Sequence, residues 1–134
     1  MATIEIRTKL HDGIYRSSGG GQVRTRATFP ASRAGWTKAA LALDETRSDN
    51  IRCYGNIGAG RTWAVLVDGE DETTITQLLS LHLDDINAEA SEPSSERRRM
   101  RALGVKTARQ SAPATADEIR ALAERFESGF EAFA

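Results

Sequence analysis

The chain has 134 residues, of which 40% are hydrophobic and 28% are charged, and its formal net charge is −1. A chain of this length and composition forms one globular domain with its own core, which excludes wholesale disorder. A net charge close to zero excludes a global electrostatic attraction to nucleic acid. No apolar run reaches the roughly 18 residues of a membrane-spanning helix, so we expect a protein that does not enter a membrane. The single cysteine cannot form an intrachain disulfide, which is typical of a cytoplasmic protein.

Two alternating segments near the start of the chain predict antiparallel strands. Residues 3–10 and 22–29 alternate apolar and polar side chains, which is the period of a half-buried strand. In the second segment the alternation predicts that Arg24 and Arg26 share the polar face of the strand.

The stretch between these two strands is rich in glycine. Asp12-Gly13 is a hairpin signal, because glycine tolerates the positive φ of a two-residue turn. Residues 14–16 are predicted to begin a return strand, which SSGGG at residues 17–21 then interrupts. Consecutive glycines allow a ligand to approach the backbone closely.

The middle of the chain is predicted to add one helix and two strands. Ser32 is a suitable N-cap for a helix over residues 33–44, which the polar stretch DETRSDN at residues 44–50 closes. Residues 51–54 and 62–67 follow as strands. The nearly continuous apolar character of the second strand predicts a central position in the sheet.

Two helices and a linker are predicted next. Residues 73–90 carry apolar side chains at helical spacing, which indicates an amphipathic helix. A short basic helix follows over residues 95–103, with Gly104 as its C-cap. The composition of residues 105–114 indicates a linker.

The last helix, at residues 115–134, has the clearest pattern. Thr115 and Glu118 form a capping box, in which each side chain accepts a free backbone N–H at the start of the helix. Apolar side chains recur at spacings of three and four residues and form a stripe along the helix. This apolar stripe must be buried, either on this chain's own core or on a second subunit. Burial on a second subunit predicts a homo-oligomer. The stripe consists of Ile119, Leu122, Phe126, Phe130 and Phe133.

The predicted element order is β-β-β-α-β-β followed by helices. This order indicates an α+β fold with an antiparallel sheet of about five strands. Residues 1–104 form the predicted core, residues 105–114 the linker, and residues 115–134 the C-terminal amphipathic helix.

The sequence GNIGAGRT, which begins at Gly55, differs by one residue from the phosphate-binding loop of nucleoside triphosphatases, because Arg61 stands in place of the lysine. That loop requires a helix after it, whereas the following TWAVLV is typical of a strand. The stretch therefore indicates a hairpin turn. The alternative is a turn whose N–H groups and Arg61 hold an anion without hydrolysing it.

The residues that most often perform catalysis show no local signature here. His11, His82 and Cys53 lack the context of a nucleophile dyad or a metal site. His82 falls within the apolar stripe of its helix, which is typical of a hydrogen-bonded core histidine. We therefore predict no catalytic residue, no metal, no cofactor and no enzyme activity.

The predicted ligand is a small anion, and a nucleotide-like molecule is its most specific version. Arginine outnumbers lysine fifteen to three. A guanidinium group can bind phosphate or carboxylate through two hydrogen bonds, which favours an anionic ligand. The codon usage of a GC-rich genome also explains the excess of arginine. Arginines beside an aromatic residue on a sheet can also bind single-stranded nucleic acid, but the aromatic consensus for this is absent. The predicted ligand-binding residues are Gly55, Gly58, Gly60, Arg61, Arg24, Arg26, Arg52 and Tyr54.

The alternative function is to bind and regulate a protein partner. Residues 70–92 carry seven acids and no Lys or Arg, and residues 93–110 carry six bases and one acid. The arginine cluster of the basic segment, at residues 97–101, can contact nucleic acid, an acidic partner or this chain's own acidic segment, and we favour the last. Small Arg- and Ala-rich single-domain proteins occur on phages and mobile elements, where some inhibit host defence. The predicted partner-binding residues are Arg97, Arg98, Arg99, Arg101, Phe126 and Phe130.

Overall fold

A computed structural model of the chain describes residues 2–10, 23–54 and 60–132, which form a three-stranded antiparallel sheet and four helices. The mixed α+β class is confirmed, but these residues contain three strands where about five were predicted in the whole chain. The predicted strand at residues 14–16 lies outside the described residues. The elements in chain order are β1 (Thr3–Leu10), β2 (Val23–Pro30), α1 (Arg33–Tyr54), β3 (Gly60–Leu66), α2 (Glu72–Ala90), α3 (Ser94–Ala102) and α4 (Ala116–Ala132).

Helix α1 is longer than predicted. It has 22 residues and ends at Tyr54, so the strand predicted for residues 51–54 is wrong. Arg47 Nη1 donates a hydrogen bond to Ser80 Oγ of α2 at 3.0 Å, and the buried Thr46 hydroxyl donates to the carbonyl one helical turn earlier. Packing against α2 thus outweighs the weak helix propensity of this polar stretch.

Strand β3 lies at one edge of the sheet, in the order β2-β1-β3, so the predicted central position is wrong. Its apolar run is buried because α2 covers the edge, where Thr76 Oγ1 accepts the N–H of Ala64 at 2.8 Å. Ala64 and Leu66 enter the core, while Trp63 and Val65 are buried on the opposite face. Coverage by α2 protects an edge that would otherwise offer unpaired backbone groups.

The pairing of β1 with β2 contains a β-bulge. The register shifts by one residue between Ile6 and Arg7, which leaves Arg26 as the extra residue on β2. Beyond the shift, Arg24 lies opposite Thr8, on the same face as Ile6, and the helices cover that face. The alternation that predicts one shared face for Arg24 and Arg26 therefore fails at the bulge.

Helices α1 and α2 pack on one face of the sheet and form the core with it. Burial of a large apolar side chain contributes about 1.5–3 kcal/mol, so this face supplies the main stabilising term. The largest fully buried side chains are Trp36, Ile4, Ile6, Leu43, Leu66, Ile75, Leu79 and Ile119.

Helix α4 packs on its own chain, next to α2. Ile119 and Ala123 belong to the core, and Phe126 is partly buried against it. Phe133 and the side chain of Phe130 lie outside the described part of the chain. The first half of the apolar stripe is therefore buried within one molecule.

The segment at residues 105–114, predicted as a linker, contacts both core helices. The N–H of Ala108 donates to Glu89 Oε1 of α2 at 2.6 Å, and Arg33 Nε of α1 donates to the carbonyl of Ala112 at 3.1 Å. Ala112 itself is buried in the core. These contacts hold the segment against the helices.

Candidate functional site

One end of the sheet carries the first part of the predicted ligand site. Lys9 of β1 lies opposite Val23 of β2 on one side and opposite Arg61 of β3 on the other. Leu10, the last residue of β1, lies opposite Gly60, the first residue of β3. We call the region around these five residues the sheet end.

Both glycine-rich segments of the sequence connect to the sheet end. Residues 11–22 join β1 to β2, and residues 55–59 join α1 to β3. Both segments lie outside the described residues, and Gly55 and Gly58 of the predicted ligand site are in the second. The strand pairing nevertheless fixes that the chain leaves and re-enters the sheet at the same end.

Two cations lie side by side at the sheet end. Lys9 and Arg61 are directly opposite residues of neighbouring strands, so they share one face, with Cβ atoms about 4.5–5.5 Å apart. Arg61 forms an ion pair with Glu72 of α2, and its guanidinium lies over the Trp63 ring, 5.3 Å from the ring centre. Within the described part of the chain, Lys9 has no carboxylate partner.

A cluster of hydroxyl and amide groups occupies the other face near the sheet end. Asn50 Nδ2 of α1 donates hydrogen bonds to Thr8 Oγ1 at 3.0 Å and to Thr62 Oγ1 at 2.9 Å. These bonds attach α1, near its C-terminal end, to β1 and β3. No local pattern in the sequence indicates this cluster, because its members belong to three different elements.

The other predicted ligand residues differ in their surroundings. Arg24 and Arg26 are both exposed on β2; Arg26 is the extra residue of the bulge, and Arg24 lies two residues before it. Arg52 forms an ion pair with Asp49 of the same helix. Tyr54 ends α1, and its side chain lies outside the described part.

Helix α3 exposes the predicted partner-binding arginines. Arg99 contacts Glu96 of the same helix at 3.8 Å. Among the described residues no ion pair joins α3 to the acidic residues 70–92, contrary to the interpretation favoured by the charge pattern. No α3 side chain is buried, and the exposed ones in and after the helix include Arg97, Arg98, Arg99, Arg101, Met100 and Leu103.

A groove of about 430 Å³ lies between α2, α4 and residues 108–113. We call it the α2–α4 groove. The sequence does not predict this groove, because four separate segments form it, and its only local signal is a histidine within an apolar stripe. Its lining includes the apolar side chains of Trp36, Leu78, Leu122 and Phe126 and the ionisable side chains of His82, Asp85 and Arg125.

His82 is buried and hydrogen-bonded, as its place in the apolar stripe predicts. Its Nε2 lies 2.9 Å from the hydroxyl of Thr37, which is also buried. Burial lowers the pKa of His82, and the nearby charge of Asp85 opposes this shift without cancelling it. The imidazole is therefore neutral at pH 7.

Comparison with protein-family models, with curated proteins and with solved structures finds no match to this chain. Across the three described ranges, no three His, Cys, Asp or Glu side chains are grouped so that they could hold a metal ion. No helix in those ranges is long and apolar enough to cross a membrane. The sheet end, α3 and the α2–α4 groove are the three surfaces that bear on function.

Proposed function

We propose that the protein is a non-enzymatic binding protein that captures an anionic, nucleotide-like ligand at the sheet end. The observation that carries this proposal is the direct cross-strand pair of Lys9 and Arg61. Like charges opposite each other destabilise a sheet, and an anion bound between them removes that repulsion. The pair lies where both glycine-rich segments join the sheet, so their backbone N–H groups can complete the site.

The ion pair of Arg61 with Glu72 is compatible with this role. The two side chains are 61% and 39% exposed, and ion pairs at such exposure contribute only about 0–1 kcal/mol. Arg61 can therefore exchange Glu72, which it contacts through Nη2, for a phosphate group that can accept two parallel hydrogen bonds from the guanidinium. Arg24, Arg26 and Arg52 would add positive charge around the ligand.

Isothermal titration calorimetry with ATP tests the proposal, with adenosine as the uncharged control. We expect ATP to bind at least tenfold more tightly than adenosine. The double variant Lys9→Gln, Arg61→Gln should lose at least tenfold in affinity for ATP, because hydrogen bonds to charged groups contribute about 1.5–3 kcal/mol each.

The matched control is Arg97→Gln, Arg98→Gln, which removes the same charge from α3 and should leave ATP binding unchanged. Equal binding of ATP and adenosine, or ATP binding that survives the Lys9 and Arg61 changes, would exclude anion capture at the sheet end.

A second candidate function is regulation of a protein partner, for example as a phage or mobile-element inhibitor of a host-defence component. It is supported by α3, which places four arginines beside exposed Met100 and Leu103, 36% and 67% exposed respectively. Such a mixture of arginine and apolar side chains is typical of interface cores. Charge reversal at Arg97 and Arg98 should abolish capture of the partner from host extract, while the Lys9 and Arg61 changes should leave that capture intact.

A further inference from the structure

The α2–α4 groove has the properties of a small-molecule site. Its volume of about 430 Å³ lies within the usual range for such sites, and most of its walls are apolar. Trp36 and Leu78 contribute from α1 and α2, and Leu122 and Phe126 contribute from α4. The groove shares no residue with the sheet end, so a ligand here would be independent of the function proposed above.

The hydrogen bond between Thr37 and His82 determines which imidazole nitrogen carries the proton. Thr37 is 3% exposed, and its hydroxyl hydrogen needs an acceptor. Other helical hydroxyls, such as that of Thr46, donate to the carbonyl four residues earlier, but the hydroxyl of Thr37 has no partner other than His82 Nε2 among the described residues. The hydroxyl therefore donates to Nε2, and the neutral ring carries its hydrogen on Nδ1.

Two hydrogen-bond donors of the groove then lack acceptors among the described residues. His82 is 8% exposed and lines the groove, and its Nδ1 has no acceptor within the described part of the chain. Arg125 also lines the groove, is exposed, and forms no ion pair with any described residue. Two donors beside apolar walls match a ligand that has one acceptor group and an apolar body.

We propose that the α2–α4 groove binds a small carboxylic acid. Its apolar body would lie against Trp36 and Phe126, and its carboxylate would accept hydrogen bonds from His82 Nδ1 and from the Arg125 guanidinium. Asp85 lines the same groove and its negative charge repels a carboxylate, so Asp85 weakens this binding and limits it to ligands that the two donors hold firmly.

The test is an NMR titration of the ¹⁵N-labelled protein with naphthalene-2-carboxylate, compared with its neutral amide. The acid should shift the Trp36 indole signal and the signals of α4, and it should bind at least tenfold more tightly than the amide. Arg125→Gln should lower the affinity for the acid about tenfold and leave the affinity for the amide unchanged. Arg98→Gln, an exposed arginine on α3, is the matched control and should change neither affinity.

Two further variants keep the test independent of folding defects. His82→Gln places a polar group near the Thr37 hydroxyl but lacks the Nδ1 donor, so it should lose affinity for the acid about tenfold. Asp85→Asn should raise the affinity for the acid two- to threefold. Equal binding of acid and amide would show a purely apolar docking face and overturn the proposal, as would shifts outside the groove or no binding at millimolar acid.

Discussion

Replacing Thr37 by valine tests the buried hydrogen bond that orients His82. Thr37 is 3% exposed, and its hydroxyl lies 2.9 Å from His82 Nε2. Valine keeps the branched shape and removes the hydroxyl, so Nε2 loses its partner inside the protein. A hydrogen bond contributes about 0.5–1.5 kcal/mol, and a buried polar atom left unsatisfied costs about 1–3 kcal/mol. We therefore expect the free energy of unfolding to fall by about 2 kcal/mol.

Urea unfolding followed by circular dichroism measures this change, and an unchanged slope against urea shows that stability alone has altered. Thr73→Val is the matched control, because Thr73 is an exposed threonine in α2. Its effect should stay within about 0.5 kcal/mol. If both substitutions have the same effect, or if Thr37→Val is as stable as the parent, the hydrogen bond does not stabilise the fold and the assigned tautomer loses its basis.

Three further predictions concern pH, a close backbone contact and a helix cap. Burial lowers the pKa of His82 in the folded protein, so the unfolded chain binds the proton more readily. The free energy of unfolding, measured by urea titration, should therefore fall as the pH drops through about 6.5. The His82→Gln variant should show a smaller fall. Gly35→Ala should destabilise the protein by about 1–3 kcal/mol although alanine favours helices, because the added Cβ would lie 1.9 Å from the carbonyl oxygen of Pro30; a raised Tm would contradict this. Asp71 caps α2 by accepting the N–H of Thr74 at 2.9 Å, so Asp71→Ala should lower the free energy of unfolding by about 1 kcal/mol at neutral pH. Burial raises the pKa of Asp71, but hydrogen bonds led by that of Thr74 outweigh it and lower the pKa overall, so this difference from the parent should disappear as the pH falls below the folded pKa; a constant difference would contradict it.

Three helix ends, the starts of α1 and α4 and the end of α3, were predictable because their signals are local. Ser32 Oγ accepts the N–H of Gly35 at 3.0 Å, as its N-cap role predicts. Thr115 Oγ1 accepts the N–H of Glu118 at 3.2 Å, as the capping box predicts. Gly104 follows α3 with a φ of 76°, which glycine adopts without strain. Each of these signals involves residues within four positions of one another.

Gly35 shows how a local signal can mislead. Glycine lowers the helix propensity of residues 33–44, which weakens the prediction of a helix there. The structure gives another reason for the residue, because the chain at Pro30 approaches Gly35 so closely that no side chain fits. Glycine at position 35 lowers the helix propensity but permits the close contact between the end of β2 and the first turn of α1.

The candidate sites depended on contacts that the sequence does not encode locally. Asn50 reaches Thr8 and Thr62, each far from it along the chain, and so places the sheet end beside the last turn of α1. The α2–α4 groove needs His82 and Arg125 on two helices whose packing is decided by the core. No characteristic residue spacing in a single sequence indicates either arrangement.

The sequence pattern alone predicts the α+β class, strands β1 and β2, and the amphipathic character of α4, because the period of apolar side chains is a property of neighbouring residues. The three-dimensional packing determines the edge position of β3, the extension of α1 through residues 51–54, the bulge at Arg26 and the lining of the groove. These features arise from contacts between segments distant in the chain, where packing and shared hydrogen bonds outweigh the preference of each segment alone.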